Sequence, residues 1–317
     1  MKATLQIRQA VRPWIKKTQA RVLIGVSGGA DSMALAIGTY LEAREANVEV
    51  IALIIDHDLQ EGSAGVAEVA REDLLKRGIT HVIIKKVNVV MTDGLEASAR
   101  RARYSAFNEA ISDLDPDFFF LAHTLNDQAE SVLLGLARGS GTRSLSGMAE
   151  VNGKFVRPLL DVGREVTLAC CVENQIVPWS DPHNEDPAYS RVRVRHEILP
   201  LMEERIGPGI VDALGRSAKI LRQDSDALDS YALGFLGDWQ GGGFEITDLA
   251  QLPQAVRIRV LREAIFRTGA PLGSLSADHL APVEALITDW HGQGVISLPG
   301  GVKVERISGR LSLLAQA

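Results

Sequence analysis

Apolar and polar positions alternate in blocks through the first half of the chain. Short, continuous apolar runs are each followed by a longer segment in which apolar residues recur at helical spacing. The runs predict strands over 21–26, 48–56, 80–87 and 118–122. The longer segments predict helices over 30–44, 65–77, 95–112 and 126–137. Because strands that are apolar throughout are typical of sheets covered on both faces, this half predicts an α/β fold with a doubly wound, mostly parallel sheet.

The pattern changes after Pro158. A helix is predicted over 163–175, and two more over 210–236 and 254–268. The last apolar runs, in GVISLPGGVKVERISGRLSLL, are short and are divided by Gly-Gly and Ser-Gly turns, which is typical of a small β meander. We therefore expect two domains, a large α/β domain over 1–215 and a smaller C-terminal α+β domain over 216–317.

The composition is that of an ordinary globular protein. The chain has 317 residues, of which 46% are hydrophobic and 23% charged. Its longest apolar runs, VIALII and FFFLA, are too short to cross a bilayer, and the N-terminus lacks the apolar core of a signal peptide. We expect a cytoplasmic protein with no membrane partner.

The cysteines and the net charge give little further information about function. The only two cysteines, Cys170 and Cys171, are adjacent within a predicted helix, where core packing is a better interpretation than a disulfide, a zinc site or thiol chemistry. The net charge of −6 does not by itself indicate nucleic-acid binding, although local potential matters more than the sum. Basic clusters occur at RRAR, 100–103, and RVRVRH, 191–196; from charge alone, both are solvated faces.

The stretch VLIGVSGGADSMAL joins the first strand to the first of these helices through a glycine-rich turn. It lacks the spaced glycines of a dinucleotide fingerprint and the lysine of a Walker loop. Gly28 and Gly29 allow the backbone to approach an anion, and the hydroxyls of Ser27 and Ser32 can donate to phosphate oxygens. Asp31 is unexpected beside a phosphate; the alternative interpretation is a plain helix start in which Asp31 complements the helix dipole.

Polar residues also follow two other strands. Asp56 and His57 end the second strand, His123 follows the fourth, and Asp127 begins the next helix. Ligands of open α/β sheets bind outside the carboxyl ends of the strands. We therefore expect these side chains to meet the glycine-rich turn at one rim of the sheet.

Several motifs together resemble a known family. SGGADS resembles the phosphate loop of the ATP-pyrophosphatase (PP-loop) superfamily, and AHTLNDQAESVLLGLARGSGTRSLSGM resembles the signature block of the tRNA(Ile)-lysidine synthetase family within it. GLEASARRARY, RPLL and DPHNEDPAYSRVRVRHEILP resemble further blocks in the same order, and the C-terminal meander is similar to the family's small C-terminal domain. The chain departs from the family pattern at Asp58, Gln60, Asn126 and Val192.

The resemblance implies a PP-loop ATPase fold and a ligase. ATP would adenylate the 2-oxo oxygen of the wobble cytidine in a tRNA(Ile) with a CAU anticodon, and free L-lysine would then displace AMP to give lysidine. ATP and Mg²⁺ are the implied cofactors, and tRNA(Ile) and L-lysine the implied partners, with tRNA contacts from the C-terminal domain. Whether the protein forms a homodimer is left open.

The resemblance and the motif positions together suggest roles for individual residues. The expected ATP-binding residues are Ser27, Gly28, Gly29, Ala30, Asp31, Ser32, Asp56, His57 and His123. The expected catalytic residues are Asp31 and Asp127, both also as Mg²⁺ ligands, with Arg100 and Arg103 on one helix face. The alternative role for Asp127 is to take a proton from the lysine ammonium. The expected tRNA contacts are Arg138, Arg143, Arg191, Arg193 and Arg195, the last three on one side of an extended segment.

Other functions remain open at this stage. Another PP-loop tRNA-modifying or adenylating enzyme is the main alternative, but a tRNA thiolase needs thiol chemistry or cluster-ligating cysteines, and a glutamine-fuelled synthetase needs an amidotransferase partner. A non-catalytic nucleotide-binding or tRNA-binding module predicts loss of the acids, whereas Asp31 and Asp127 are both present.

Overall fold

A computed structural model describes residues 2–57, 62–90, 94–139 and 141–315. It divides into two compact units, Met1–Leu221 and Arg222–Ala317. Asp58 and Gln60, two of the departures from the family pattern, lie outside the described residues.

The first unit contains a six-stranded sheet in the order β3-β2-β1-β4-β6-β5. Its strands are β1 Arg21–Val26, β2 Glu49–Asp56, β3 His81–Lys86, β4 Phe118–Phe120, β5 Val151–Asn152 and β6 Phe155–Val156. All neighbouring pairs are parallel except β5 with β6. The predicted doubly wound, mostly parallel sheet is confirmed.

Helices cover both faces of this sheet. The helices that begin in this unit are α1 Lys2–Ile15, α2 Ala30–Ala46, α3 Ser63–Lys76, α4 Leu95–Leu114, α5 Leu125–Ala137, α6 Thr142–Leu145, α7 Arg164–Glu173, α8 Ser190–Arg193, α9 Leu199–Arg205 and α10 Ile210–Leu236, with a π-helical turn at Val194–Ile198. Those that pack on the sheet are α1, α2, α3 and α7 on one face and α4 on the other. Alternate residues of β1 enter different cores: Val22 and Ile24 pack with α1, α2, α3 and α7, whereas Leu23 packs with α4. Because β1, β2 and β4 are parallel, their carboxyl ends lie at the same rim of the sheet.

Two features of the first unit differ from the sequence-based expectation. Helix α1 was not predicted, although Ile7, Val11 and Ile15 recur every four residues and are fully or almost fully buried. The expected extended segment at 191–195 is wrong: these residues are helical. Alternation over so few residues does not distinguish a strand from a helix. Val192, in α8, and Val194, at the start of the π-helical turn, are both buried.

The second unit has an antiparallel sheet in the order β7-β10-β9-β8. Its elements are β7 Gly242–Glu245, α11 Ile246–Gln251, α12 Gln254–Thr268, α13 Ala277–Thr288, β8 Ile296–Ser297, β9 Lys303–Ile307 and β10 Arg310–Leu314. The meander and α12 match the sequence-based prediction, whereas β7 and α13 were not predicted. In the part of the chain that the structure describes, no helix is long and apolar enough to span a membrane.

Candidate active site

The glycine-rich turn forms a tight loop between β1 and α2. Gly28 has a φ of +82°, in the left-handed region that favours glycine, and Gly29 is the N-cap of α2. The buried Ser32 hydroxyl accepts a hydrogen bond from the Ser27 amide at 3.1 Å and donates to the Gly29 carbonyl at 2.9 Å. Ser32 thus braces the loop, which places Gly29, Ala30 and the N-terminus of α2 in the usual geometry of an anion-binding turn.

Two histidines face this rim with unsatisfied ring nitrogens. The Nδ1 atoms of His57 and His123 are buried and have no hydrogen-bond partner among the described residues. Burial lowers the pKa of both rings, and the nearby Arg103 adds to the effect; the pKa of His123 falls to about 4. Both rings are therefore neutral near pH 7 and can each offer a nitrogen to a ligand. Asp56, at the end of β2, is buried beside His57.

Three carboxylates surround one guanidinium next to the loop. We call Asp31, Asp127 and Glu130 the three-acid cluster. Arg164, the first residue of α7, places Nη2 at 3.0 Å from Asp127 Oδ1, Nε at 3.5 Å from Asp31 Oδ2 and Nη1 at 3.6 Å from Glu130 Oε1. The guanidinium thus faces each acid with a different nitrogen.

Asp127 is held as a charged carboxylate. The amide and hydroxyl of Thr124 donate to its Oδ2 at 2.8 and 3.0 Å, closing a capping box at the start of α5. Burial by itself would raise the pKa of Asp127, but Arg164, the Thr124 amide and Arg195 outweigh burial, and the pKa is lowered. Both of its oxygens already have partners.

Glu130 is fully buried and relies on two further arginines. Arg195 makes a bidentate pair with it, Nε to Oε1 at 2.7 Å and Nη2 to Oε2 at 3.1 Å. Arg191 Nε lies 3.1 Å from Glu130 Oε2, and its Nη2 donates to Ser131 at 2.8 Å. A buried carboxylate is tolerated only with such pairing, so Arg191 and Arg195 are committed to this cluster.

Asp31 is the least well compensated of the three acids. The buried Thr167 hydroxyl donates to its Oδ1, and its nearest guanidinium nitrogen is 3.5 Å away. Burial raises the pKa of Asp31, and neither Thr167 nor Arg164 fully offsets that effect. Asp31 is therefore the acid of the cluster that most lacks a cation.

Asp31 is the acid of the cluster best placed to bind Mg²⁺. Among the described residues, no group of three or more His, Cys, Asp or Glu side chains is arranged to hold a metal ion. Mg²⁺ commonly binds one or two carboxylates and takes its other ligands from phosphates and water. Asp31 can supply one such oxygen beside the phosphate loop, whereas the oxygens of Asp127 are occupied.

The remaining predicted arginines lie outside the cluster. Arg103 is half-buried on α4 and influences both histidines, while Arg100 is exposed and its guanidinium stacks 4.8 Å above the ring of Tyr104. Arg138 and Arg143 are exposed near α5 and α6. Arg193 points away from Arg191 and Arg195 and donates to the Ala188 carbonyl at 3.0 Å, so the three do not present one basic face.

Sequence reasoning missed Glu130, Arg164 and Thr167. Glu130 could have been found, because it lies three residues after Asp127 on the same face of a predicted helix. Arg164 and Thr167 carried no local signal. Asn126, where the family commonly has an acid, accepts a hydrogen bond from the Arg164 amide at 2.9 Å and so fixes the start of α7.

An acidic cavity of about 570 Å³ adjoins the cluster through Asn126 and Gly163. Its charged lining residues are Asp161, Glu165, Glu203 and Asp212. Lys219 donates to Asp161 at 3.2 Å, and the amides of Gly209 and Val211 donate to Glu203 at 2.6 and 3.0 Å. The lining is still acidic on balance, so the cavity suits a cationic ligand.

The cysteines are packing residues, as predicted. Both are buried in α7, and Cys171 Sγ lies 3.4 Å from the Ala30 carbonyl. Burial raises the pKa of the Cys171 thiol to about 12. A protonated, buried thiol is neither a nucleophile nor a ready metal ligand.

Comparisons with known proteins place this site in a family. Residues 1–202 match a family model described as a PP-loop domain, and residues 244–312 match a TilS substrate binding domain. The chain is 46% identical over 308 residues to the tRNA(Ile)-lysidine synthase of Rhodococcus erythropolis, covering 96% of this chain and 92% of that one. It is 42% identical over 313 residues to the tRNA(Ile)-lysidine synthase of Thermobifida fusca, covering 98% and 97%.

A solved structure shares the fold at lower identity. The U34-tRNA thiolase NcsA from Methanococcus maripaludis, with its [4Fe-4S] cluster, aligns with a TM-score of 0.57 at 19% identity, covering 70% of this chain and 78% of that one. At this identity the likeness concerns the fold alone.

Proposed function

We propose that this chain, which belongs to the tRNA(Ile)-lysidine synthase family and forms lysidine on tRNA(Ile) with ATP, joins free L-lysine to carbon 2 of the wobble cytidine in two steps at one rim of the parallel sheet. First, the 2-oxo oxygen attacks the α-phosphorus of ATP and pyrophosphate leaves. The lysine ε-ammonium then gives a proton to solvent water, and the neutral nitrogen attacks carbon 2. The bond from carbon 2 to the bridging oxygen breaks, and AMP departs with that oxygen. Adenylation converts a poor leaving group into a good one.

The loop from Ser27 to Ser32 would hold the phosphates of ATP. Its support is geometric: a braced turn, a glycine at φ +82° and the amides at the start of α2. His57 and His123 each add a neutral ring nitrogen at the same rim, for hydrogen bonds to the nucleotide or the cytidine. Arg103, and Arg100 more peripherally, would stabilise negative charge that develops during adenylation.

Asp31 would carry Mg²⁺, which supplies charge neutralisation at the phosphates when it is bound. Asp127 has a different role in this proposal. Because its pKa is lowered and both oxygens are engaged, it is a weak base and a poor metal ligand. It would hold the cationic amine in place, together with Glu130, rather than accept its proton.

Free lysine suits the acidic character of this region. An amino acid with an extra ammonium group needs carboxylates around its cationic end and a guanidinium near its own carboxylate. The three-acid cluster and its arginines offer both, and the adjoining cavity of about 570 Å³ carries four more carboxylates.

The second unit would contact the tRNA, as its match to a substrate binding domain suggests. Arg262 on α12 supports this role. It is half-buried, and its Nε has no hydrogen-bond partner among the described residues. Burial together with neighbouring Arg259 lowers the pKa of Arg262, and the nearby Asp229 offsets this only in part. A guanidinium that is so weakly compensated in the free protein is suited to bind a phosphate. In the first unit, Arg138, Arg143 and Arg193 remain candidates for backbone contacts, whereas Arg191 and Arg195 act by holding Glu130.

One observation supports the proposal most directly: the glycine-rich loop lies beside a cluster of three acids, of which Asp127 and Glu130 are buried. The test is transfer of labelled lysine, with Mg-ATP, to two transcripts, a tRNA(Ile) with a CAU anticodon and the elongator tRNA(Met). Label on the first alone is expected. Pyrophosphate release without label on either would mean that the nucleophile or the acceptor is wrong.

The main rival within the superfamily, a tRNA thiolase, has little support. Its chemistry needs reactive or cluster-ligating cysteines, whereas both cysteines of this chain are buried and the pKa of Cys171 is raised to about 12. Incorporation of sulfur into either transcript would contradict this conclusion.

A further inference from the structure

Arg164 is held differently from the other arginines of the site. It meets three carboxylates at once, but only the contact with Asp127, at 3.0 Å, has hydrogen-bond length; those with Asp31 and Glu130 are 3.5 and 3.6 Å. Arg195, by contrast, grips Glu130 with two contacts of 2.7 and 3.1 Å. Arg164 therefore contributes charge to all three acids without being fixed firmly to any of them.

The charges of the cluster already balance in the free enzyme. Three carboxylates face three guanidiniums, those of Arg164, Arg191 and Arg195. An ammonium group that joined the acids would find Arg164 within a few ångströms, and like charges at that distance in a partly buried site repel strongly. A cationic substrate can occupy the cluster only if one guanidinium leaves it, and Arg164 has the fewest short contacts to lose.

We propose that Arg164 is an exchangeable counter-cation. It occupies the three-acid cluster in the free enzyme, and the ammonium of the lysine substrate takes its place against Asp127. This inference rests on the proposed function, since it takes lysine as the amine. The released guanidinium can move to the phosphates of ATP. Arg164 already lies 3.5 Å from Asp31, which belongs to the loop proposed to hold those phosphates. Nucleotide binding should therefore favour the exchange and strengthen lysine binding.

A direct role predicts the opposite behaviour. If Arg164 bound the α-carboxylate of lysine, its removal would weaken lysine binding. If it merely supported the fold, its removal would lower stability and leave lysine affinity unchanged. The sign of the change in affinity therefore separates the three roles.

The experiment measures lysine binding by calorimetry on the full chain, without ATP, for the wild type and Arg164→Gln. We expect the variant to bind lysine about 5-fold or more tightly than the wild type, the lower end of common coupling strengths. Norleucine, which has the same carbon chain as lysine but no ε-ammonium, should show no such gain. Equal or weaker lysine binding by the variant would overturn the proposal.

A second readout follows thermal stability. Arg164→Gln leaves the acids under-compensated, so its Tm should fall, and lysine should raise that Tm more than it raises the wild-type Tm. The matched control is Arg12→Gln, which breaks another arginine–carboxylate pair, with Glu42, at the packing of α1 against α2. It should lower the Tm without changing the response to lysine.

A substitute variant and an activity measurement distinguish the possible causes of a negative result. If Arg164→Gln does not fold, Arg164→Lys serves instead: it keeps the charge but cannot face three acids at once, so it should bind lysine more tightly than the wild type, though less so than expected for glutamine. If the wild type transfers lysine to tRNA(Ile) and neither variant gains affinity, only this inference fails. If the wild type transfers none, the proposed function fails as well.

With a non-hydrolysable ATP analogue and Mg²⁺ present, wild-type affinity for lysine should rise and that of Arg164→Gln should not. A similar rise in both would contradict the proposed exchange.

Discussion

At the scale of single residues, the site contrasts two aspartates in the first turns of two helices. Asp31 and Asp127 each lie in the first turn of a helix that follows a central strand. Asp127 gains enough hydrogen bonds and positive charge to lower its pKa, whereas burial raises the pKa of Asp31. The ionised carboxylate of Asp31 therefore lowers the stability of the folded protein, as functional groups often do.

This contrast predicts that Asp31→Asn separates stability from function. A raised folded-state pKa means that the ionised carboxylate opposes folding, so above that pKa the variant should be at least as stable as the wild type. The advantage should disappear as the pH falls and Asp31 takes up a proton. Melting curves from pH 4 to pH 8, together with Mg-ATP-dependent pyrophosphate release, test this; release should be lost.

Asp117 provides the matched control. It accepts hydrogen bonds from the amides of Gln19, Ala20 and Arg21 at 2.8 to 3.2 Å. Burial raises its pKa, but these amides outweigh burial and the pKa is lowered. Asp117→Asn should therefore lower stability at neutral pH, and the loss should shrink as the pH falls through the folded-state pKa. Destabilisation by both variants at neutral pH would contradict the assignment of Asp31.

At the scale of elements, the loop and the cluster depend on how α2 and α7 are supported. Helix α2 begins at the phosphate loop and packs along α1, and Gly38 is the point of closest approach: a Cβ there would lie 2.3 Å from Ile7 Cγ2. Helix α7 brings in Arg164 and Thr167 and begins where Asn126 accepts a hydrogen bond from its first amide. The site is therefore assembled from the starts of three helices, α2, α5 and α7.

Gly38→Ala should push α1 away from α2. Overpacking of this kind typically costs about 1–3 kcal/mol, which chemical denaturation would measure. Gly65→Ala, in α3 with nothing within 4 Å of the added Cβ, should instead be neutral or stabilising by up to about 1 kcal/mol. Equal effects of the two substitutions would mean that the close approach of α1 and α2 does not limit packing.

At the scale of the whole molecule, the two units match different family models. The first unit, which contains the glycine-rich loop and the three-acid cluster, matches a PP-loop domain, and the second matches a substrate binding domain. With a net charge of −6, the chain must attract tRNA through local positive charge rather than through its total charge.

Arg262→Gln tests the proposed tRNA contact of the second unit. Removal of a half-buried, weakly compensated charge should leave the Tm unchanged or raise it, yet weaken tRNA binding. The slope of log K against log salt should fall in magnitude by about 1, as expected for the loss of one phosphate contact. Arg267→Gln on the same helix is the control, since Arg267 is already paired with Glu263 at 3.0 Å. A fall in Tm with unchanged tRNA affinity would make Arg262 a structural residue.

The sequence by itself determined the architecture and much of the site. Continuous apolar runs predicted β1 to β4 because buried parallel strands need apolar side chains on both faces. The loop from Ser27 to Ser32, and the polar residues after β2 and β4, could be assigned to one rim because parallel strands end on the same side. The ordered motifs identified the family for the same reason: each is a local string of residues.

Only the tertiary structure decided how the charges are paired. Arg164 lies 37 residues from Asp127 along the chain, and no local period relates residues that meet across helices. The conformation of the basic segment at 191–195 likewise depended on the burial of Val192 and Val194. Because the segment is helical, Arg191 and Arg195 both reach Glu130, while Arg193 faces away. Local spacing specifies helices and strands; which acid receives which arginine follows from the packing of α5, α7 and α8.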